Sequence, residues 1–189
     1  MSGHNKWSQI QRQKGVTDAA KSREFGRLGR LIALESKKAG GNVSSPGLAA
    51  TIARAKAINM PKDTIERAVA KGAAKDSASL EQVVYEFYGP GGAALIIDAL
   101  TDNKNRTTQE IKHLISKSGF ELGAQGSAQW AFTKGSDGIL IPNEPLMEVS
   151  GDDEIKLGEL LTLFDEHDDV QRVYSNGRGY ESTSSESPD

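Results

Sequence analysis

Arg23, Arg27, Arg30 and Lys37 follow one another at steps of four, three and seven residues. On a helix that turns about 100° per residue these cations fall within about 80° of one another, opposite Phe25 and Ile32. Basic side chains spaced near one helical turn can meet successive phosphates through charge-assisted, often bidentate contacts. An ordinary solvated helix face interleaves acids as i,i+4 partners. Between Thr17 and Gly40 the only acids are Asp18, Glu24 and Glu35, and that scarcity favours polyanion binding. Upstream, Lys6, Trp7, Arg12 and Lys14 lie in a polar stretch read as an extended basic arm. An indole there can stack on an unpaired base while neighbouring cations hold the backbone. It can equally pin the arm to the helices, or do both.

The overall charge of -3 conceals a division. Residues 1–75 carry 15 Lys and Arg against five acids, a net +10, and the remainder carries eight against 21, a net -13. A basic arm attached to an acidic body points to a polyanion partner; two oppositely charged domains docked on each other would give the same composition. The 189 residues contain no cysteine, which excludes disulfides, thiolate metal sites and thiol nucleophiles. No apolar run approaches the roughly 20 residues of a membrane span, and the start lacks an apolar signal region. A cytoplasmic protein without a membrane partner is expected.

Other candidate chemistry is weak. Gly89-Pro90-Gly91-Gly92 lacks the Lys-Ser/Thr ending of a phosphate loop and precedes a strand, so it reads as a hairpin turn. His4, His113 and His167 share no ligand spacing, and no metal is assigned. Asp165, Glu166, Asp168 and Asp169 read as a solvated helix end. No nucleophile, base and orienting group assemble from local motifs. The expectation is therefore a non-enzymatic protein with no catalytic residue, cofactor or small-molecule substrate.

The elements that must hold these residues begin with a helix capped at Thr17 and stopped by Gly40-Gly41. Ser45-Pro46 starts a second helix with Leu48, Ile52 and Ala55 inward, and Pro61 a third with Ile65, Ala68 and Val69 inward and Gly72 at its end. The Gly-, Ala- and Ser-rich stretch 71–79 marks a boundary. Runs 83–88 and 93–100 read as strands, Thr107-Thr108-Gln109-Glu110 as a capping box opening a helix, and 127–132 and 139–141 as further strands. An acidic helix from Asp152 and a strand 170–174 follow. The fold expected is α+β: a basic three-helix domain over 1–75, then an acidic ferredoxin-like α+β sandwich over 80–174. Residues 175–189 have little to bury and are expected to be disordered.

Several short motifs are specific in combination: Gly3-His4-Asn5-Lys6-Trp7, Asn59-Met60-Pro61-Lys62-Asp63, Tyr88-Gly89-Pro90-Gly91-Gly92, Thr101-Asp102-Asn103 with Asn105-Arg106-Thr107, Leu122-Gly123 with Gly126-Ser127, and Asp168-Asp169-Val170-Gln171. In this order they closely resemble the YebC/PmpR family, which includes a mitochondrial translational activator. The resemblance implies a regulator of gene expression, described in the family both as DNA-binding in transcription and as acting on ribosomes stalled at proline-rich stretches. Typical members carry a further α/β domain inserted before the final helix; here most of it is missing near residues 139–150. Phe87 also stands where relatives often have Gly.

Lys6, Trp7, Arg12, Lys14, Arg23, Arg27, Arg30 and Lys37 are thus the expected nucleic-acid-binding residues. A DNA reader would need a helix presenting Asn, Gln or Arg to base edges from its N-terminal end. The second and third helices offer mainly Ala, Lys and Thr there, so RNA and the ribosome are favoured as partners and DNA is the alternative.

Overall fold

The computed structural model describes residues 6, 18–75, 79–136 and 138–181. The chain divides into two compact units, a helical one over Val16–Glu81 with Leu100–Asp102, and an α+β one over Gln82–Ala99 and Asn103 onward, to which Lys6 also belongs.

In the helical unit, α1 (Asp18–Lys38) carries Asp18 in its first turn and Lys37 and Lys38 in its last, both favourable to the helix dipole. It stops at Gly40 and Gly41, whose φ values of 59° and 81° are left-handed. Then α2 (Pro46–Ala57) starts with proline in its first turn, where the missing N–H costs nothing. Glu35 of α1 lies against its start: a Cβ on Gly47 would fall 2.3 Å from the Glu35 Oε2. α3 (Lys62–Ala73) completes the unit. Leu28, Ile32, Leu48, Ala55, Met60 and Ile65 form the core.

Gly72 does not end α3, contrary to expectation. It lies inside the last turn because α1 and α3 meet there: a Cβ would sit 2.2 Å from the Ala33 carbonyl oxygen and 2.8 Å from the Ser36 Cβ. Beside it the Ser36 hydroxyl donates to the Val69 carbonyl at 2.7 Å. The proposed N-cap, Thr17, lies outside the described residues.

In the α+β unit, β1 (Glu81–Tyr88) passes through a 3-10 turn, Pro90–Gly92, into β2 (Ala94–Thr101). Gly91 and Gly92 both take positive φ there, as the chain reversal demands. α4 (Lys104–Lys117), β3 (Phe132–Lys134), β4 (Leu140–Pro142), α5 (Asp152–Asp165) and β5 (Val170–Ser175) follow. The sheet order is β1-β2-β5, with β5 antiparallel to β2 in the register Leu95↔Ser175 to Asp98↔Arg172.

Central strand β2 is buried on both faces. Leu95, Ile97 and Ala99 pack with Phe87, Ile111, Ile115, Leu157, Leu161 and Phe164. Ala94 and Ile96 pack on the other side with Ala128, Ala131, Phe132 and Tyr174. The α+β class and the order of helical and mixed units are as expected. The strands around 127–141 differ in role: only Phe132–Lys134 and Leu140–Pro142 are extended, and they pair with each other. Their hairpin contributes to the cover of the second face.

Two boundaries are also corrected. α4 begins not at the Thr107 capping box but after Asn103, whose Oδ1 accepts the Arg106 N–H at 3.1 Å. Residues 175–181, expected within a disordered tail, are built in. The Asn176 Oδ1 accepts the Ala94 N–H at 2.8 Å, backbone bonds join Met147 to Asn176 and Arg178, and Tyr180 is buried. Residues 182–189 lie outside the described part.

Candidate nucleic-acid interface

Arg23, Arg27, Arg30 and Lys37 of α1 occupy the side of the helix away from Leu28 and Ile32, which are buried. Arg23 and Lys37 lie 14 residues apart, about 21 Å along the axis. Lys37 is exposed, while Arg23, Arg27 and Arg30 are half-buried, as are Leu31 and Leu34 on the same side. The Arg27 Nε is out of contact with solvent. This side is therefore partly covered and partly apolar. Next to it Lys38 pairs with Glu35 at 2.7 Å.

Lys6 stands in the α+β unit. Its ammonium pairs with the Glu154 carboxylate in the first turn of α5, to which the Tyr180 hydroxyl also donates at 3.4 Å. The hydrogen bond and the opposite charge raise the Lys6 pKa, and the bond from Lys6 lowers that of Glu154. Trp7, Arg12 and Lys14 lie outside the described residues. The structure thus places four of α1's six cations, Arg23, Arg27, Arg30 and Lys37, on one side of the helix, and Lys6 on an acidic helix start in the other unit.

A second constellation escaped the sequence reading. Glu86 of β1 is only 2% exposed. Its carboxylate accepts three backbone N–H groups, from Gly126 at 2.7 Å, Ala128 at 2.8 Å and Gln129 at 3.0 Å. Its carbonyl accepts a fourth, from Gly123 at 2.8 Å. A side chain at Gly123 would meet that carbonyl at 2.9 Å. The segment held this way ends in a 3-10 turn, Gln129–Ala131, from which Trp130 projects 66% exposed. The indole N–H donates to the Tyr88 hydroxyl at 2.7 Å, and that hydroxyl donates to the Ser127 carbonyl at 2.6 Å.

Glu110, His167 and Asp169 bring one ligand atom each within 4.8 Å of one another. Asp169, expected on a solvated helix end, is 4% exposed and takes the Arg106 guanidinium at 2.8 Å and the Thr107 hydroxyl at 2.7 Å. The His167 Nδ1 accepts the Asp169 N–H at 3.2 Å. That bond puts the ring proton on Nε2, which donates to Glu110 at 3.1 Å. A cation would have to displace both that proton and Arg106. The cluster is an ion-pair network joining α4 to the turn before β5. A shallow surface depression along α5 is lined by Ile155, Gly158, Glu159, Thr162, Leu163, Glu166 and Tyr180; its hydroxyls are committed, Thr162 to the Gly158 carbonyl and Tyr180 to Glu154.

Comparison with known proteins gives these features a context. Residues 5–75 match the TACO1/YebC protein N-terminal domain, and residues 80–137 match the TACO1/YebC second and third domain. The chain belongs to the TACO1/YebC family. Among its TACO1/YebC relatives, a probable transcriptional regulatory protein of Francisella tularensis subsp. tularensis (strain WY96-3418) is 43% identical over 201 residues, covering 98% of this chain and 80% of that protein. One from Petrotoga mobilis is 45% identical over 159 residues, covering 83% of this chain and 62% of that protein. The crystal structure of a conserved hypothetical protein, Aq1575, from Aquifex aeolicus aligns at a TM-score of 0.75 with 27% identity, over 85% of this chain and 91% of that one. The TACO1/YebC match ends at residue 137, and only residues 143–151 separate β4 from α5 here. No described helix is long and apolar enough to cross a membrane.

Proposed function

We propose that this chain regulates gene expression by binding RNA, acting on the ribosome as a translation factor rather than as an enzyme. The observation that carries the reading is the α1 stripe: Arg23, Arg27, Arg30 and Lys37 on one side of one helix, away from the buried Leu28 and Ile32. Such a row grips phosphates and positions a partner without reading sequence. At the start of α2, Gly47, Ala49 and Ala50 are the exposed residues after Pro46, and none can make a bidentate bond to a base edge. That favours a backbone-gripping mode over promoter recognition. The relatives are named probable transcriptional regulatory proteins, which supports regulation of gene expression and favours DNA as the second reading.

Changing Arg23, Arg27 and Arg30 together to Glu tests the assignment. Because the three arginines are half-buried, the same set changed to Gln controls for folding, with a thermal melt on each variant. Loss of binding to RNA and to ribosomes is expected for the Glu set, with the parent melt retained. In the parent, log K should fall linearly with log salt, by about 0.7 to 0.9 per phosphate neutralised. Unchanged affinity in both variants would remove α1 from the interface.

A further inference from the structure

The Glu86 carboxylate is a costly device, since an ion taken out of water is heavily penalised unless hydrogen bonds compensate it. Here it is spent on the backbone of residues 126–129. The far side of the same turn is also tied: the Asn143 side-chain amide donates to the Trp130 carbonyl at 2.9 Å, and the Asn143 N–H to the Ala131 carbonyl at 2.8 Å. The result is a tryptophan left 66% exposed on backbone fixed from both sides. A large apolar side chain is normally buried; this one is held out.

Its polar edge is already used. The indole N–H and the Tyr88 hydroxyl proton are both committed internally, one to the other and the second to Ser127. Aromatic grooves that take extended peptides hold them in part through polar groups at the ring edges, and neither the indole N–H nor the Tyr88 hydroxyl proton is free for that here. What Trp130 offers is ring surface, with the half-exposed Tyr88 ring bonded beside it and the exposed Gln129 preceding it. A flat ligand that needs stacking and no hydrogen-bond readout fits that offer, and every nucleobase has such a face. Lys134, exposed on β3, supplies a cation in the same segment.

We propose that Trp130, braced by Tyr88 and Glu86, is a stacking site for one unpaired nucleobase, so that the chain prefers single-stranded over duplex RNA. This rests on the RNA-binding reading above and adds to it a contact in the second unit. The test uses the full chain with Trp7→Phe, leaving Trp130 as the single tryptophan of the two in the sequence. An oligouridine 20-mer should quench its fluorescence, and a duplex of equal length should not. In the parent background, W130A should weaken oligouridine binding about 5- to 100-fold while leaving the salt slope and duplex affinity unchanged. W130F should restore most of the loss, and thermal melts of both variants check the fold. No quenching and unchanged oligouridine affinity would overturn the proposal. Quenching by a proline-rich peptide but not by oligouridine would overturn it in favour of a peptide site. If the α1 Glu set abolishes binding while W130A leaves oligouridine affinity unchanged, the stacking site fails and the RNA-binding reading stands; if neither changes binding, both fail.

Discussion

Replacing Glu86 with Ala deletes the acceptor of three N–H bonds at once. The Gly126 N–H belongs to an exposed residue and can turn to water, whereas Ala128 is fully buried. A hydrogen bond to a charged group contributes about 1.5–3 kcal/mol, and a buried donor left unsatisfied costs about 1–3 kcal/mol. Relief of the carboxylate's own desolvation offsets part of this, so a net loss of about 3–4 kcal/mol is expected, in line with removing one partner of a buried charged contact. With a urea m-value near 2 kcal/mol/M, the α+β unit's midpoint should drop by about 1.5–2 M at unchanged m. Glu86→Gln keeps one oxygen for Ala128 and Gln129 but sets its NH2 against the Gly126 N–H. It should lose about half as much. Urea titration followed by Trp130 fluorescence in a Trp7→Phe background reports the transition. A Glu86→Ala midpoint within about 0.25 M of the parent, equivalent at that m to the roughly 0.5 kcal/mol of an ordinary surface change, would refute the claim that this carboxylate organises the turn.

Gly72→Ala should destabilise the helical unit by about 2 kcal/mol despite the better helix propensity of Ala, because its Cβ meets the Ala33 carbonyl, backbone that cannot give way; helix-detected urea melts measure this. Asp98 on β2 has its pKa raised, because burial outweighs the Gln82 hydrogen bond and the Arg172 and Lys134 charges. The folded carboxyl therefore holds a proton that the unfolded one has lost, and stability falls as pH rises from about 3.8 through the raised folded value. Asp98→Asn should be the more stable at pH 7, with the advantage vanishing below pH 3.8; equal melts at pH 7 would contradict the burial argument. Glu154→Gln releases Lys6 from its carboxylate and should raise RNA affinity a few-fold in low-salt titrations, an effect abolished in a Lys6→Ala background.

The sequence displays what is local. Phe25, Leu28 and Ile32 at helical spacing, Pro46 and Pro61 at helix starts and Gly40-Gly41 at a stop each act within a few residues, and α1, α2 and α3 form where those signals lie. Gly72 shows the limit: a glycine demanded by a neighbouring helix looks the same in sequence as one that ends its own. Ala128, Trp130 and Phe132 alternate as in a strand, yet Glu86, 40 residues upstream, bends the segment into a turn with its carboxylate. Only the glutamate within the otherwise apolar and aromatic run 83–88 hinted at that. Residues 175–181 read as a polar tail because their attachment is through backbone bonds and the Asn176 side chain, with Tyr180 the one apolar signal. The α1 stripe was legible by spacing, but its half-burial was not, because periodicity reports direction and not what lies alongside.

Cross-linking the full-length protein to nucleic acid in living cells and sequencing what it carries tests the central claim most directly. Ribosomal RNA should dominate the recovered sequences and should disappear in the Arg23, Arg27 and Arg30 Glu variant. Recovery of discrete promoter DNA instead, with no enrichment of ribosomal RNA, would contradict the translation-factor account.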